Sequence, residues 1–84
     1  MKKLESILIK ANKTINDVDQ VYYGKNHACR CGCCGNYYDK NELDYPFELL
    51  EDYDILENEI EYENGYTNIP FDDNDDECIC IYYK

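Results

Sequence analysis

Residues 27–35 read H-A-C-R-C-G-C-C-G, and residues 78–80 near the other end of the chain read C-I-C. These two segments contain all six cysteines of the 84-residue chain, and the only histidine, His27, begins the first of them. A hydrophobic core of this size supplies only a few kcal/mol, so small domains commonly add a metal ion or disulfides. We therefore predict that the two cysteine segments meet in the fold and hold it together.

The first segment contains a pattern typical of zinc sites. Zinc prefers thiolate and imidazole ligands in a tetrahedron, and a C-x-x-C turn brings two sulfurs to one ion. Cys31 and Cys34 have this spacing, and Gly35 follows them. A glycine at this position permits the tight or positive-φ backbone that such a turn needs. Cys78 and Cys80 are the only cysteines distant enough in sequence to supply a second pair. We predict a structural Zn²⁺ bound by Cys31, Cys34, Cys78 and Cys80.

Alternatives to this ligand set stay open. Alternate residues of a regular strand lie about 6.5–7 Å apart, whereas two sulfurs on one zinc lie about 3.8 Å apart for Zn–S bonds of about 2.3 Å. Either the strand bends at Cys78 and Cys80, or only one of them binds. In the second case Cys29 or Cys33 is the reserve ligand, and His27 is the last choice.

Other cysteine chemistry is also conceivable, including two zinc ions with bridging thiolates, an iron–sulfur cluster, or thiols and disulfides without metal. Clustered cysteines in a reducing compartment favour zinc, and the spacing does not match the common ferredoxin runs. A catalytic zinc keeps an open coordination position, whereas four thiolates close it. We therefore expect a structural ion and a protein that is not an enzyme.

The charge of the chain, −11 overall, is concentrated in its second half. Residues 41–83 contain fifteen acidic side chains and no Lys or Arg, while residues 1–40 carry a small positive balance. Such a polyanion repels nucleic acid and is attracted to basic surfaces. We expect a basic protein partner and no direct binding of nucleic acid, although a merely solvated acidic face is the alternative. The predicted partner-binding residues are Glu48, Glu51, Asp52, Asp54, Glu57, Glu59, Glu61 and Glu63.

The hydrophobic pattern predicts one α+β domain over residues 1–84, a small antiparallel β-sheet with two helices, stapled by the structural zinc. The helices are expected at residues 2–12 and about 46–58, the second because Leu49, Tyr53 and Leu56 repeat at helical spacing. Strands are expected at residues 19–23, 36–39, 60–63, 66–69 and 78–83. An Asn-Gly turn at residues 64–65 predicts a hairpin, and Pro70 predicts the end or the edge of the returning strand. The strand at 78–83 is apolar on both faces and is expected to be central, with its cysteines on one face and its isoleucines on the other.

Residues 1–10 contain too short an apolar run for a signal peptide, and no segment has about 18 apolar residues in succession. These features predict a cytosolic protein that does not enter a membrane. We further expect it to be a monomer.

Residues 21–25 (V-Y-Y-G-K), 29–33 (C-R-C-G-C) and 35–37 (G-N-Y) occur in an order that resembles small proteins encoded by bacteriophages and mobile elements. Together with its small size and acidity, the chain resembles zinc-containing anti-CRISPR proteins of the type II-A class. The resemblance implies non-enzymatic inhibition of a type II-A Cas endonuclease in the host bacterial cytosol, with a structural zinc. The basic channels of such an endonuclease hold nucleic acid, and an acidic protein can block loading there. The alternative is a zinc-knuckle adaptor or regulatory protein of a phage or mobile element that binds another host protein.

Overall fold

The computed structural model describes residues 2–26, 32–72 and 76–84. These residues form two α-helices and five strands: α1 (Lys2–Lys10), β1 (Val18–Lys25), β2 (Gly35–Asp39), α2 (Asp44–Asp52), β3 (Glu61–Tyr62), β4 (Tyr66–Pro70) and β5 (Glu77–Tyr83). The strands make one antiparallel sheet in the order β2-β1-β5-β4-β3. The predicted class, α+β with two helices and an antiparallel sheet, is confirmed.

Strand β5 is the centre of the sheet because it is apolar on both of its faces. Ile79 and Ile81 belong to the main hydrophobic core, whereas Cys78 and Cys80 lie on the opposite face, and all four side chains are fully buried. The predicted central position of this strand and its division into an isoleucine face and a cysteine face are both confirmed.

Both helices pack on the isoleucine face. Helix α1 contributes Leu4, Ile7 and Leu8 to the core, and α2 contributes Phe47 and Leu50. These positions repeat at the spacing that places side chains on one side of a helix, so each helix buries a single stripe.

Helix α1 ends at Lys10, two residues before the predicted end. Asn12 adopts a φ of 59°, the left-handed conformation that commonly follows the last turn of a helix. The backbone N–H of Lys13 then donates to the carbonyl oxygen of Leu8. This arrangement satisfies a terminal carbonyl and turns the chain towards β1.

The predicted extent of the second helix, 46–58, is wrong. Helix α2 stops at Asp52, and Tyr53 is extended, with φ −112° and ψ 150°. Ile55 forms an isolated antiparallel bridge with Phe71, and the N–H of Leu56 donates to the carbonyl oxygen of Pro70. The backbone after Asp52 is therefore paired with the end of β4 and cannot continue the helical hydrogen bonds.

The Asn-Gly turn joins β3 to β4 as predicted, with Glu61 opposite Asn68 and Tyr62 opposite Thr67. Pro70 is the last residue of β4, as its missing N–H predicts. Within the described part of the chain, neither helix is long and apolar enough to cross a membrane.

Candidate functional site

The face of the sheet opposite the helices, which we call the cysteine face, carries one continuous row of side chains across all five strands. Strand register places Tyr37, Tyr22, Cys80, Asn68 and Glu61 side by side in this order. The Nδ2 group of Asn68 donates to Glu61 Oε1 at 3.3 Å, which fixes the orientation of both side chains on this face. The row brings a thiol, two phenols, an amide and a carboxylate together from strands that are distant in sequence.

Tyr22 is the packing centre of the cysteine face. Its side chain is fully buried with Cys78 and Cys80, and its hydroxyl donates to the carbonyl oxygen of Lys25 at 3.1 Å. The ring of Tyr37 packs on it at a centroid distance of 5.1 Å. The phenol therefore has both an apolar environment for its ring and a partner for its hydroxyl, as a buried tyrosine requires.

A pair of glycines lies beneath the Tyr22 ring. Gly24 in β1 is paired with Gly35 in β2, and a Cβ on Gly24 would press on the Gly35 Cα and lie 2.8 Å from the Tyr22 hydroxyl. A Cβ on Gly35 would lie 2.7 Å from the Tyr22 ring. None of the described glycines has a positive φ, so of the two predicted reasons for Gly35, a tight or a positive-φ backbone, the positive φ is not found. Gly35 is needed because a ring and another backbone approach it closely.

The same glycines bring described parts of the two cysteine segments to one end of the sheet. Gly24 is paired with Gly35 on one side and with Cys78 on the other, so only β1 separates Gly35 from Cys78. The N–H of Lys25 donates to the carbonyl oxygen of Cys34 at 3.1 Å. The N–H of Asn26 donates to the carbonyl oxygen of Asp76 at 2.7 Å, just before β5. Backbone hydrogen bonds thus tie both neighbouring segments to the end of β1.

The predicted zinc ligands fall partly outside the described residues, namely Cys31 together with the reserve candidates Cys29 and His27. The Sγ atoms of Cys33 and Cys34 are 3.8 Å apart, which equals the separation of about 3.8 Å for two sulfurs on one zinc. In the three described ranges no group of three or more His, Cys, Asp or Glu side chains is arranged to hold a metal ion. The zinc and its ligand set remain predictions.

Strand β5 does not bend at its two cysteines. Cys78 and Cys80 are each paired with β1 and with β4 in an uninterrupted register. To share one zinc, the two thiols would have to lean towards each other along a regular strand; otherwise only one of them is a ligand.

The acidic residues between 48 and 63 lie on α2, on β3 and in the segments that follow each of these elements. Seven of the eight side chains are exposed. The exception is Glu51, whose carboxylate accepts the backbone N–H of Lys3 at 3.2 and 3.4 Å. A carboxylate at the N-terminus of a helix stabilises the helix, because its negative charge interacts favourably with the helix dipole. Glu51 therefore has a structural role at the start of α1 that sequence reasoning missed.

The other acids divide between the helix side and the β3 edge. Glu48 and Asp52 lie on α2, and Glu57 lines a shallow cavity together with Lys3 and Lys10 of α1. Glu59 and Glu61 line a second cavity, with Asn68, at the β3 edge of the cysteine face. Because α2 ends at Asp52, the eight acids do not form one helical ladder.

A second row on the cysteine face was not foreseen from the sequence. Asp39, Gln20, Tyr82 and Tyr66 lie side by side, and the N–H of Glu63 donates to the carbonyl oxygen of Tyr66 at the far edge. The Tyr82 ring contacts the rings of Tyr37 and Tyr66, each at a centroid distance of 6.3 Å. Tyr37 and Tyr82 each belong to a Tyr-Tyr pair in the sequence, whereas Tyr66 does not, and only the strand register brings the three rings together.

Comparison of the chain with protein families, with curated proteins and with solved structures finds no match.

Proposed function

We propose that this protein is a non-enzymatic inhibitor, encoded by a phage or mobile element, of a type II-A Cas endonuclease in the bacterial cytosol. It would bind a basic surface of the nuclease through its acidic residues and block the loading of nucleic acid. The observation that carries the proposal is the exposure of seven acidic side chains within residues 48–63, in a half of the chain that lacks Lys and Arg up to residue 83. The choice of a type II-A Cas endonuclease as the partner rests on the resemblance of residues 21–37 to phage-encoded proteins.

The proposed mechanism is electrostatic competition. An RNA-guided endonuclease holds its guide–target heteroduplex in a positively charged channel and recognises the duplex through its backbone. Carboxylates on a protein frame can occupy such a channel in place of phosphates, and their charge increases the rate of encounter. Of the eight predicted contact residues, Glu51 is the one whose carboxylate already accepts a backbone N–H, that of Lys3 at the start of α1.

The zinc ion is proposed as a structural part of the same protein. Buried thiols at Cys78 and Cys80 and the close sulfurs of Cys33 and Cys34 support a thiolate site at this end of the sheet. The proposed ligands are Cys31, Cys34, Cys78 and Cys80, with Cys29 and Cys33 in reserve. A closed thiolate site stabilises a small fold and leaves no coordination position for a substrate.

The test is inhibition of DNA cleavage by a purified type II-A Cas endonuclease, with two variants of equal charge. In the first, acids of the proposed surface are neutralised: Glu48→Gln, Asp52→Asn, Asp54→Asn and Glu57→Gln. The control neutralises four exposed acids outside residues 48–63: Glu5→Gln, Asp19→Asn, Glu42→Gln and Asp44→Asn. Both variants gain four units of charge, so a difference between them reports the location of the surface and not net charge.

We expect the first variant to inhibit at least tenfold more weakly than the control, and wild-type binding to weaken as salt increases. Equal inhibition by the two variants would remove this surface from the mechanism. If the wild-type protein leaves cleavage unchanged and instead captures another host protein from lysate, the nuclease is not its partner. That result would favour the adaptor function.

A further inference from the structure

We propose that the three neighbouring tyrosines of the cysteine face, Tyr37, Tyr66 and Tyr82, form a contact surface for arginine side chains of a protein partner. We call these three residues the tyrosine row, although Tyr37 belongs to the first register row described above and Tyr66 and Tyr82 belong to the second. The inference deepens the proposed function and rests on it in one respect, that the partner is a basic protein. The tyrosine row lies on the opposite side of the sheet from α2.

The geometry of the tyrosine row makes it a platform rather than a set of separate side chains. Its rings are contributed by β2, β5 and β4. Because β1 lies between β2 and β5, the outer strands β2 and β4 are three strand spacings apart, about 14 Å. Tyr82 lies in the middle and contacts both neighbours at 6.3 Å, with interplanar angles of 31° and 49°. Buried Tyr22 supports Tyr37 from below, at a ring distance of 5.1 Å.

The platform is accessible to a partner. Tyr37 is 40 % exposed, and Tyr66 and Tyr82 are partly exposed. Both helices pack on the other face of the sheet, where they cover the isoleucines. Aromatic rings that are neither buried in a core nor isolated on a surface offer a contact area that loses little conformational entropy on binding.

Carboxylates stand at both ends of the platform. Asp39 lies at the β2 edge, and Glu61 and Glu63 lie at the β3 edge, all three exposed. Asp39 also accepts the backbone N–H of Asn41 at 2.8 Å, which holds its carboxylate in place. The carboxylate of Glu61 is held by the side-chain amide of Asn68, which donates to it.

Rings flanked by carboxylates match the chemistry of arginine. A guanidinium group stacks on an aromatic face and at the same time donates to a carboxylate, whereas the more strongly hydrated lysine ammonium does so less well. An aromatic sheet surface can also stack nucleic-acid bases. Carboxylates at both edges and a net charge of −11 repel the phosphates of such a ligand. The charge therefore favours an arginine-bearing protein segment.

The experiment compares a ten-residue arginine peptide with a ten-residue lysine peptide of equal charge, by calorimetry on the intact chain. The test variant is Tyr37→Leu with Tyr66→Leu. The matched control is Tyr45→Leu with Tyr53→Leu, two tyrosines that are 53 % and 48 % exposed in α2 and directly after it. None of these changes alters charge, and circular dichroism verifies that each variant is folded. If the double variant is unfolded, Tyr37→Leu alone, at the most exposed ring of the row, replaces it.

We expect wild type and control to bind the arginine peptide about two- to fivefold more tightly than the lysine peptide for each stacked ring. The test variant keeps only the central ring, Tyr82, so its preference should fall to at most that of one stacked ring while its affinity for the lysine peptide stays the same. Equal affinity of wild type for the two peptides, or a preference as large in the test variant as in wild type, would overturn the proposal. Tighter binding of a single-stranded oligothymidine, weakened in the test variant, would assign the row to bases and also overturn it.

The two proposals can fail separately. Arginine preference without inhibition of the nuclease refutes the proposed function and leaves the tyrosine row as an arginine surface. Inhibition by a wild-type protein that binds the two peptides equally refutes the tyrosine row alone.

Discussion

Replacing Gly24 by alanine tests the structural account of the cysteine face most directly. Gly24 is fully enclosed between β2 and β5, and its hypothetical Cβ meets the Gly35 Cα, the Cys34 carbonyl oxygen at 2.7 Å and the Tyr22 hydroxyl at 2.8 Å. Two of these three contacts are backbone atoms, which a side-chain rotation cannot move. The methyl group therefore has to widen the spacing of β1 and β2 and displace the Tyr22 ring.

The expected cost follows from these contacts. Overpacking a filled interior by one methyl group costs about 1–3 kcal/mol. Displacement of Tyr22 also breaks its hydrogen bond to the Lys25 carbonyl oxygen, which adds about 0.5–1.5 kcal/mol. A loss of about 1.5–4.5 kcal/mol is a large fraction of the stability of a small domain, and it lowers the melting temperature by on the order of 10 °C or more.

The assay is urea denaturation followed by circular dichroism, with Gly65→Ala as the matched control. The same methyl group at Gly65 meets nothing within 4 Å, and the residue has no positive φ. We expect the control to be unchanged within about 0.5 kcal/mol, or stabilised by up to about 1 kcal/mol because alanine restricts the unfolded chain. A Gly24→Ala protein as stable as Gly65→Ala would refute the close approach of the two strands beneath Tyr22.

Three further measurements test other parts of the structure. The backbone N–H of Thr14 donates to the Asp17 carboxylate at 2.8 Å and lowers the pKa of that carboxyl group. A lowered folded-state pKa contributes stability above the unfolded value of about 3.9 that is lost as pH falls through the folded value. Asp17→Asn should therefore melt below wild type at pH 7, with a difference that shrinks below about pH 4; a difference independent of pH would contradict this. The buried hydroxyls of Thr67 and Tyr83 are 2.6 Å apart, so Thr67→Val should cost about 1–3 kcal/mol. Adding Tyr83→Phe should then cost less than it does alone, and strict additivity in the double-mutant cycle would rule out the bond. Complete removal of zinc by a chelator should lower the melting temperature strongly, because metal binding and folding are coupled in small domains with thin cores; an unchanged melting curve would exclude a structural zinc.

Several features of the fold could be predicted because local sequence and local structure agree. The strand at β5 is apolar at consecutive positions, so it has to be covered on both faces and lies at the centre. The hairpin between β3 and β4 follows from Asn-Gly, which favours a tight turn whatever surrounds it. The exposed acids were predictable in the same way, since carboxylates stay in water unless they are paired.

The end of α2 shows where such reasoning fails. Leu49, Tyr53 and Leu56 have helical spacing, but the chain leaves the helix after Asp52 and Ile55 pairs with Phe71. A backbone partner sixteen residues away satisfies the same hydrogen-bonding groups that the helix would have used. Hydrophobic periodicity is judged over a short stretch of sequence that does not include Phe71. The pattern at Leu49, Tyr53 and Leu56 therefore favoured the longer helix.

Neighbouring residues are enough to specify the α+β class, the central strand with its two faces, the hairpin and the separation of charge. The position of Gly24 and Gly35 under Tyr22, the contact of Glu51 at the start of α1 and the assembly of the tyrosine row become visible only in the packed fold. Each of these depends on contacts between residues far apart in sequence. Their positions are set by strand register and helix docking, which bring distant side chains together only once the whole sheet has formed.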